Sequence, residues 1–162
     1  MITMQLKKIC QHVRKSRAGK SLEHHLADIF THNQLLFEEQ VITEENKKPD
    51  FVFPNSECYH NFEFPAEDLT VLGAKTTCKD RWRQVINEAD RVDEKYLFTL
   101  QQGISRNQLK EMTDEKVHIV VPEKYVNAFP KEYQSSIRNL QDFVQMVQEK
   151  QERMPKHFIV KP

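Results

Sequence analysis

The chain has 162 residues, 38% of them hydrophobic and 30% charged, and a formal net charge of zero. That is apolar material for one core and too little for two, so a single domain over residues 1–162 is expected. No stretch is long and apolar enough to span a membrane, and the N-terminus lacks the apolar block of a secretory signal. Cys10, Cys58 and Cys78 are too few and too scattered for a disulfide framework or a paired zinc site, so the expected setting is the cytoplasm.

In chain order, Leu6, Ile9, Cys10 and Val13 recur at helical spacing over residues 4–13, and residues 16–19 break the pattern. Ser21 then reads as the N-cap of a helix over 22–33, with Leu22, Leu26, Ile29 and Phe30 on one face. Residues 35–43 read as a strand of imperfect alternation and 44–48 as a polar turn. Pro49 forces an extended entry into a strand at 51–53. An extended piece at 59–64 and one helical turn at 66–69 lead to a strand at 71–76. Residues 79–92 read as a helix that buries Trp82, Val85, Ile86 and Ala89. A strand at 96–100, a helix capped by Ser105, a strand at 117–121 ended by Pro122 and a last helix over 140–153 complete the chain. Strands alternating with helices after residue 70 predict an α/β fold whose sheet is partly parallel.

The neutral total hides an uneven distribution of charge. Residues 1–20 carry Lys7, Lys8, Arg14, Lys15, Arg17 and Lys20 and no acid; a basic N-terminal helix or arm is expected over residues 1–15. A second basic cluster runs from Lys75 to Arg83, with Asp80 its only acid. Local basic patches steer nucleic acid even on a neutral protein, although a charge run also serves as a solvated helix face.

The chemistry concentrates in two segments 25 residues apart. Asp50 stands at the mouth of the 51–53 strand and Lys75 near the end of the 71–76 strand. If the two strands are neighbours, an aspartate able to hold Mg²⁺ meets a lysine able to orient or deprotonate water, a minimal phosphodiester-cleaving pair. Nucleases of this kind place a second acid two positions before the lysine, where this chain has Gly73. Glu88, on the helix expected to follow, and Glu23, near the start of an earlier helix, are the acids that could complete the set; the residues alone leave Glu88 open to being an exposed helix glutamate. Lys79, Asp80 and Arg81 start that helix. Lys and Arg bond guanine O6 and N7, and Asp accepts from the cytosine amino group, so the trio suits reading of G·C pairs; a capping Asp between two phosphate-binding bases is the other reading. Ala18-Gly19-Lys20-Ser21 ends like a phosphate-binding loop, but Arg14 stands where its first glycine belongs and no strand precedes it.

The blocks 16–23, 47–51, 74–84, 87–90 and 97–101 resemble, in order and spacing, the catalytic domain of the EcoRII restriction endonuclease family, a likeness covering roughly residues 13–145. The resemblance implies a PD-(D/E)xK fold, a central mixed sheet flanked by helices, and a Mg²⁺-dependent type II endonuclease. It implies a homodimer on double-stranded DNA, cutting CCWGG-type sites (W is A or T) before the first C to leave 5′ overhangs. It assigns Asp50 and Lys75 as catalytic, Glu88 as the displaced acid that shares the metal with Asp50, and Glu23 as a further active-site acid. It gives the reading of CC:GG to Lys79, Asp80 and Arg81, and it also puts Tyr59 at a site position. Related enzymes flip the central base pair, which accounts for tolerance of either A·T orientation. EcoRII itself carries an N-terminal effector domain; only about 15 residues precede the shared region here, so a single-domain enzyme without that effector is expected. A catalytically decayed DNA-binding protein of the same fold and a structure-selective nuclease are the competing readings.

Overall fold

Every residue of Phe51–Phe53 and of Lys95–Thr99 is buried, and in Thr70–Lys75 only Lys75 is partly open. Strands covered on both faces belong in the middle of a layered α/β fold. The structure, a computed structural model, describes residues 19–158, and the expected helix at 4–13 and the basic arm lie outside them. The main elements are α1 (Gly19–His32), β1 (Glu38–Glu39), β2 (Phe51–Phe53), α2 (Ser56–His60), β3 (Thr70–Lys75), α3 (Trp82–Ile86), β4 (Lys95–Thr99), α4 (Arg106–Asp114), β5 (Val117–Val121), α5 (Lys131–Gln134), β6 (Arg138–Asn139) and α6 (Leu140–Arg153). One sheet runs β1-β2-β3-β4-β5-β6 in space; β1, β2 and β3 pair antiparallel, and β3 to β6 pair parallel. This is the expected mixed sheet flanked by helices.

Alternation along the strands divides the interior. Phe51, Phe53, Leu72, Ala74, Tyr96 and Phe98 turn to one face, under Leu22, Leu26, Ile29 and Phe30 of α1 and Phe143, Val144 and Val147 of α6. Phe30 is the hub, edge-on to Phe51 and Phe53 with ring centroids 5.2 Å away in each case. Leu97, Val117, Ile119 and Val121 turn the other way, against Trp82 and Val85 of α3 and Leu109 and Met112 of α4. A third cluster gathers Val52, Val71, Cys58, Tyr59, Phe64, Ala89 and Val92 beyond the end of α3. Ser105 caps α4 by accepting from the Gln108 N–H at 3.2 Å, and Asn139 caps α6 through the Asp142 N–H at 2.7 Å.

Four expectations need correction. α1 begins at Gly19, so Ser21 lies inside the helix and is not its N-cap. Of the strand expected at 35–43, only Glu38–Glu39 pairs; Gln40 adopts φ 53°, which ends the strand, and Leu35 and Val41 diverge into different clusters. Residues 59–64 are not extended, because Asn55 caps α2 by accepting from the Cys58 N–H at 2.8 Å and drives the chain helical there. The helix expected over 79–92 is α3 alone. Its apolar spacing was real but served two clusters: Trp82 and Val85 pack in one, Ala89 and Val92 in another, and the chain must turn between them.

Phe30→Ala removes the ring that joins α1, β2 and α6. It should destabilise the fold by about 3–5 kcal/mol, read as a lower urea midpoint with an unchanged denaturant slope.

Candidate active site

The register of β2 on β3 puts Phe51 opposite Leu72, so Asp50, just before β2, lies beside the far end of β3. Its Oδ2 accepts the Ala74 N–H at 2.7 Å, and the Lys75 Nζ lies 3.5 Å from the same oxygen. Its Oδ1 accepts from Gln40 Nε2 at 3.3 Å, while the Gln40 N–H donates to the Asp50 carbonyl at 3.1 Å. Asp50 is only 7% exposed, so carboxylate and ammonium meet largely out of water, as the spacing of the two segments led us to expect.

Gly73 faces α3. A Cβ on it would stand 2.8 Å from Val85 Cγ2, so no acid fits at that position with α3 packed where it is. Glu88 arrives instead from the turn after α3, not from three turns along a helix as expected. The Glu88 N–H donates to the Val85 carbonyl at 3.3 Å, and the Thr43 hydroxyl donates to the Glu88 carbonyl. Burial pushes the Glu88 carboxyl up to about 7; the negative charge of Asp50 adds to the rise and Lys75 opposes it. Its Oε2 is buried without a hydrogen-bond partner. Glu23, on α1, has its carboxyl within hydrogen-bonding reach of Asp50; burial, then the Asp50 charge, raises its pKa, with Lys75 again opposing. Asp50, Lys75, Glu88 and Glu23 therefore form one electrostatic cluster.

Among the described residues no group of three or more His, Cys, Asp and Glu is close enough together to hold an ion. Mg²⁺ asks less than that, since it keeps most of its water and is held by one or two carboxylates. A buried, unpartnered oxygen on Glu88, whose carboxyl is pushed up first by burial and then by the Asp50 charge, fits such a site.

Tyr59 stands behind this cluster rather than in it. Its hydroxyl donates to the Glu44 carboxylate at 2.7 Å and accepts the Arg91 N–H at 3.4 Å, while Glu44 Oε2 accepts the Asp90 N–H at 3.3 Å. Burial, then the bond to Glu44, holds the Tyr59 phenol protonated. Arg91 donates to the carbonyls of Cys58, Tyr59, Asn61 and Phe64. This network fixes the turn that carries Glu88.

Lys79, Asp80 and Arg81 lie on the exposed turn between β3 and α3, not within the helix as expected. Trp82, which follows them, is 2% exposed and belongs to the core, with the Arg83 guanidinium 5.1 Å from its ring centroid. Gln40, Thr43 and Gln101 hold the site and were missed from sequence. Gln40 and Thr43 carry no motif and Gln101 ends the block 97–101 with no role assigned to it; only tertiary bonding marks the three.

The EcoRII C-terminal sequence family matches residues 3–144. The type II restriction enzyme EcoRII of Escherichia coli is 50% identical over 132 residues, covering 81% of this chain, which spans 33% of that protein's length. Metal-depleted Ecl18kI in complex with uncleaved, modified DNA superposes with a TM-score of 0.71 at 25% identity, over 86% of this chain and 47% of that one. A second structure, metal-depleted Ecl18kI with uncleaved DNA, gives a TM-score of 0.70 at the same identity and coverage. The fold is that of the PD-(D/E)xK restriction enzymes. With this sheet order, a strand-end Asp–Lys pair and half of its residues shared with EcoRII over most of its length, the chain belongs to the EcoRII C-terminal family.

Proposed function

We propose that this protein is a Mg²⁺-dependent type II endonuclease that hydrolyses double-stranded DNA at a CCWGG-type site and works as a homodimer. The observation that carries the reading is the meeting of Asp50, Lys75 and Glu88 in one partly buried cluster, from three separate elements, a few residues from the exposed Lys79–Asp80–Arg81 turn. Half-identity with a type II restriction enzyme and the likeness to a DNA-bound restriction enzyme support it. A near-palindromic duplex presents one scissile phosphate on each strand, so two copies related by a twofold axis match it. Among the described residues no helix is long and apolar enough to cross a membrane.

Asp50 and Glu88 would hold the metal through carboxylate oxygens, with Glu23 behind Asp50. When bound, Mg²⁺ supplies positive charge to the phosphoryl oxygens and acidifies a water. Lys75 directs its ammonium to the attacking water and to the charge that grows on the phosphoryl group. The water oxygen bonds to phosphorus as the bond to the leaving sugar oxygen breaks; the attacking water gives up a proton to solvent and the leaving oxygen takes one from solvent, so that a phosphate monoester and a free hydroxyl remain. Lys79 and Arg81 read guanine edges, and Asp80 reads the cytosine amino group. Tyr59 supports Glu88 through Glu44 and the backbone of residues 90 and 91.

The direct test is incubation with plasmid bearing unmethylated CCWGG sites, in Mg²⁺ and in EDTA. Discrete Mg²⁺-dependent fragments mapping to those sites are expected; fragments mapping elsewhere would overturn the specificity. Asp50→Ala and Lys75→Ala should each abolish cutting and leave gel-shift binding in place. Retained Mg²⁺-dependent cutting by either variant would sink the assignment.

The Glu88 carboxyl, raised to about 7, links metal, pH and stability. A proton competes with the cation below that value, so the Mg²⁺ concentration for half-maximal cutting should be about tenfold higher at pH 6 than at pH 8. Without metal, the folded state holds this proton more tightly than the unfolded chain does. Stability is therefore undiminished below the unfolded value of 4.5, falls as pH rises through about 7, and is flat above. Glu88→Gln removes that loss. In EDTA at pH 8 it should be more stable than the parent, by on the order of 1–3 kcal/mol, and it should not cut. A lower melting temperature for Glu88→Gln under those conditions would contradict the assignment of a destabilising buried charge to this carboxylate.

A further inference from the structure

We propose, building on the reading of Lys79, Asp80 and Arg81 as base-contacting residues, that Gln101 is the positioning residue for recognition. Its carboxamide oxygen accepts two successive N–H groups of the turn, Cys78 at 2.6 Å and Lys79 at 3.2 Å. From the other side, Gln108 Nε2 donates to the Lys79 carbonyl at 3.4 Å. Gln101 is itself held, because its N–H donates to Thr99 Oγ1 at 3.1 Å, and that hydroxyl reaches the Thr76 carbonyl at 3.4 Å. Thr99 is fully buried and pairs with Lys75 across β3 and β4. One strand pair thus delivers Lys75 to the cleavage cluster and, two residues past Thr99, the clamp on the neighbouring turn.

Lys79 shows what the clamp does. Its φ is +34°, a region that L side chains seldom occupy and glycine enters freely. A lysine in that conformation needs its backbone held, and the bonds from Gln101 and Gln108 hold it. Among the described residues, no hydrogen bond or ion pair engages the Lys79, Asp80 or Arg81 side chains. Only the backbone aims them. Bidentate contact with a base edge needs that aim, whereas phosphate contact tolerates its loss. Gln101 therefore controls discrimination between sites more than affinity for DNA as such.

The test compares Gln101→Met, which keeps the length and loses the acceptor, with Gln101→Glu, which keeps an acceptor. Three quantities are read on the whole protein: binding to a CCWGG duplex and to one with a single G·C pair exchanged, in Ca²⁺ to keep the DNA uncleaved; amide hydrogen exchange; and the melting temperature. Gln101→Met should lose about tenfold in the ratio of the two affinities. Its Cys78 and Lys79 amides should exchange at least about tenfold faster, while β3 and β4 stay protected and melting is little changed. Gln101→Glu should restore protection and most of the ratio. An unchanged ratio in Gln101→Met, or faster exchange spread evenly over β3 and β4, would overturn the proposal. If the parent itself does not discriminate the two duplexes, the CCWGG reading fails. In that case exchange confined to residues 78 and 79 still upholds the clamp, and unchanged exchange there rejects it.

Discussion

The antiparallel register of β2 on β3 is the constraint on which the site depends. With Phe51 opposite Leu72, the Asp50 carboxylate meets the Ala74 N–H and comes within reach of Lys75. The same register sends Phe51 and Phe53 into the core under α1 and Val52 into the cluster around Tyr59. A slip of one residue would exchange those faces and bury the wrong side chains, so packing enforces the register and the register places the chemistry. What results is out of balance in charge: Asp50, Glu88 and Glu23 share the field of Lys75. Glu88 and Glu23, partly buried and facing the Asp50 carboxylate, hold protons they would otherwise lose, and a divalent cation is the natural counterpart to that surplus.

Gly73 and Glu88 are two ends of one packing decision. Without a side chain at 73, Val85 sits directly on β3 and α3 lies close to the sheet. A carboxylate on the strand and a helix in that place exclude one another. The acid is supplied instead by the turn beyond α3, where the chain passes from the Trp82 and Val85 cluster to that of Ala89 and Val92. Such a turn leaves backbone groups to satisfy, and Thr43, Glu44 and Tyr59 take them up at residues 88, 90 and 91. Tyr59 is thereby tied to the site without touching it.

Much of this was legible in the residues. The apolar face of α1, the strands expected at 71–76 and 96–100, the Ser105 cap and the final helix over Leu140–Arg153 all rest on local composition, spacing or capping chemistry, and all stand in the structure within a residue or so. The Asp50–Lys75 pair was legible because each residue adjoins a short apolar run that makes a strand on its own terms. The elements misread lie where local pattern and tertiary demand part. The helix expected over 79–92 stops at Ile86 although its apolar period continues, because that period feeds two clusters. The strand expected over 35–43 is ended by Gln40, whose backbone and side chain both serve Asp50.

Sequence by itself determined which side chains could do the chemistry and which segments must be buried, since both follow from residue type and near-neighbour spacing. Tertiary structure alone decided that Glu88 completes the cluster from a turn, that Gly73 must stay bare, and that Gln40, Thr43 and Gln101 hold the parts in place. The difference is physical. A periodic apolar face is written within a few neighbouring residues, whereas a hydrogen bond between Thr43 and the backbone of Glu88 joins groups 45 residues apart and exists only once the sheet has formed.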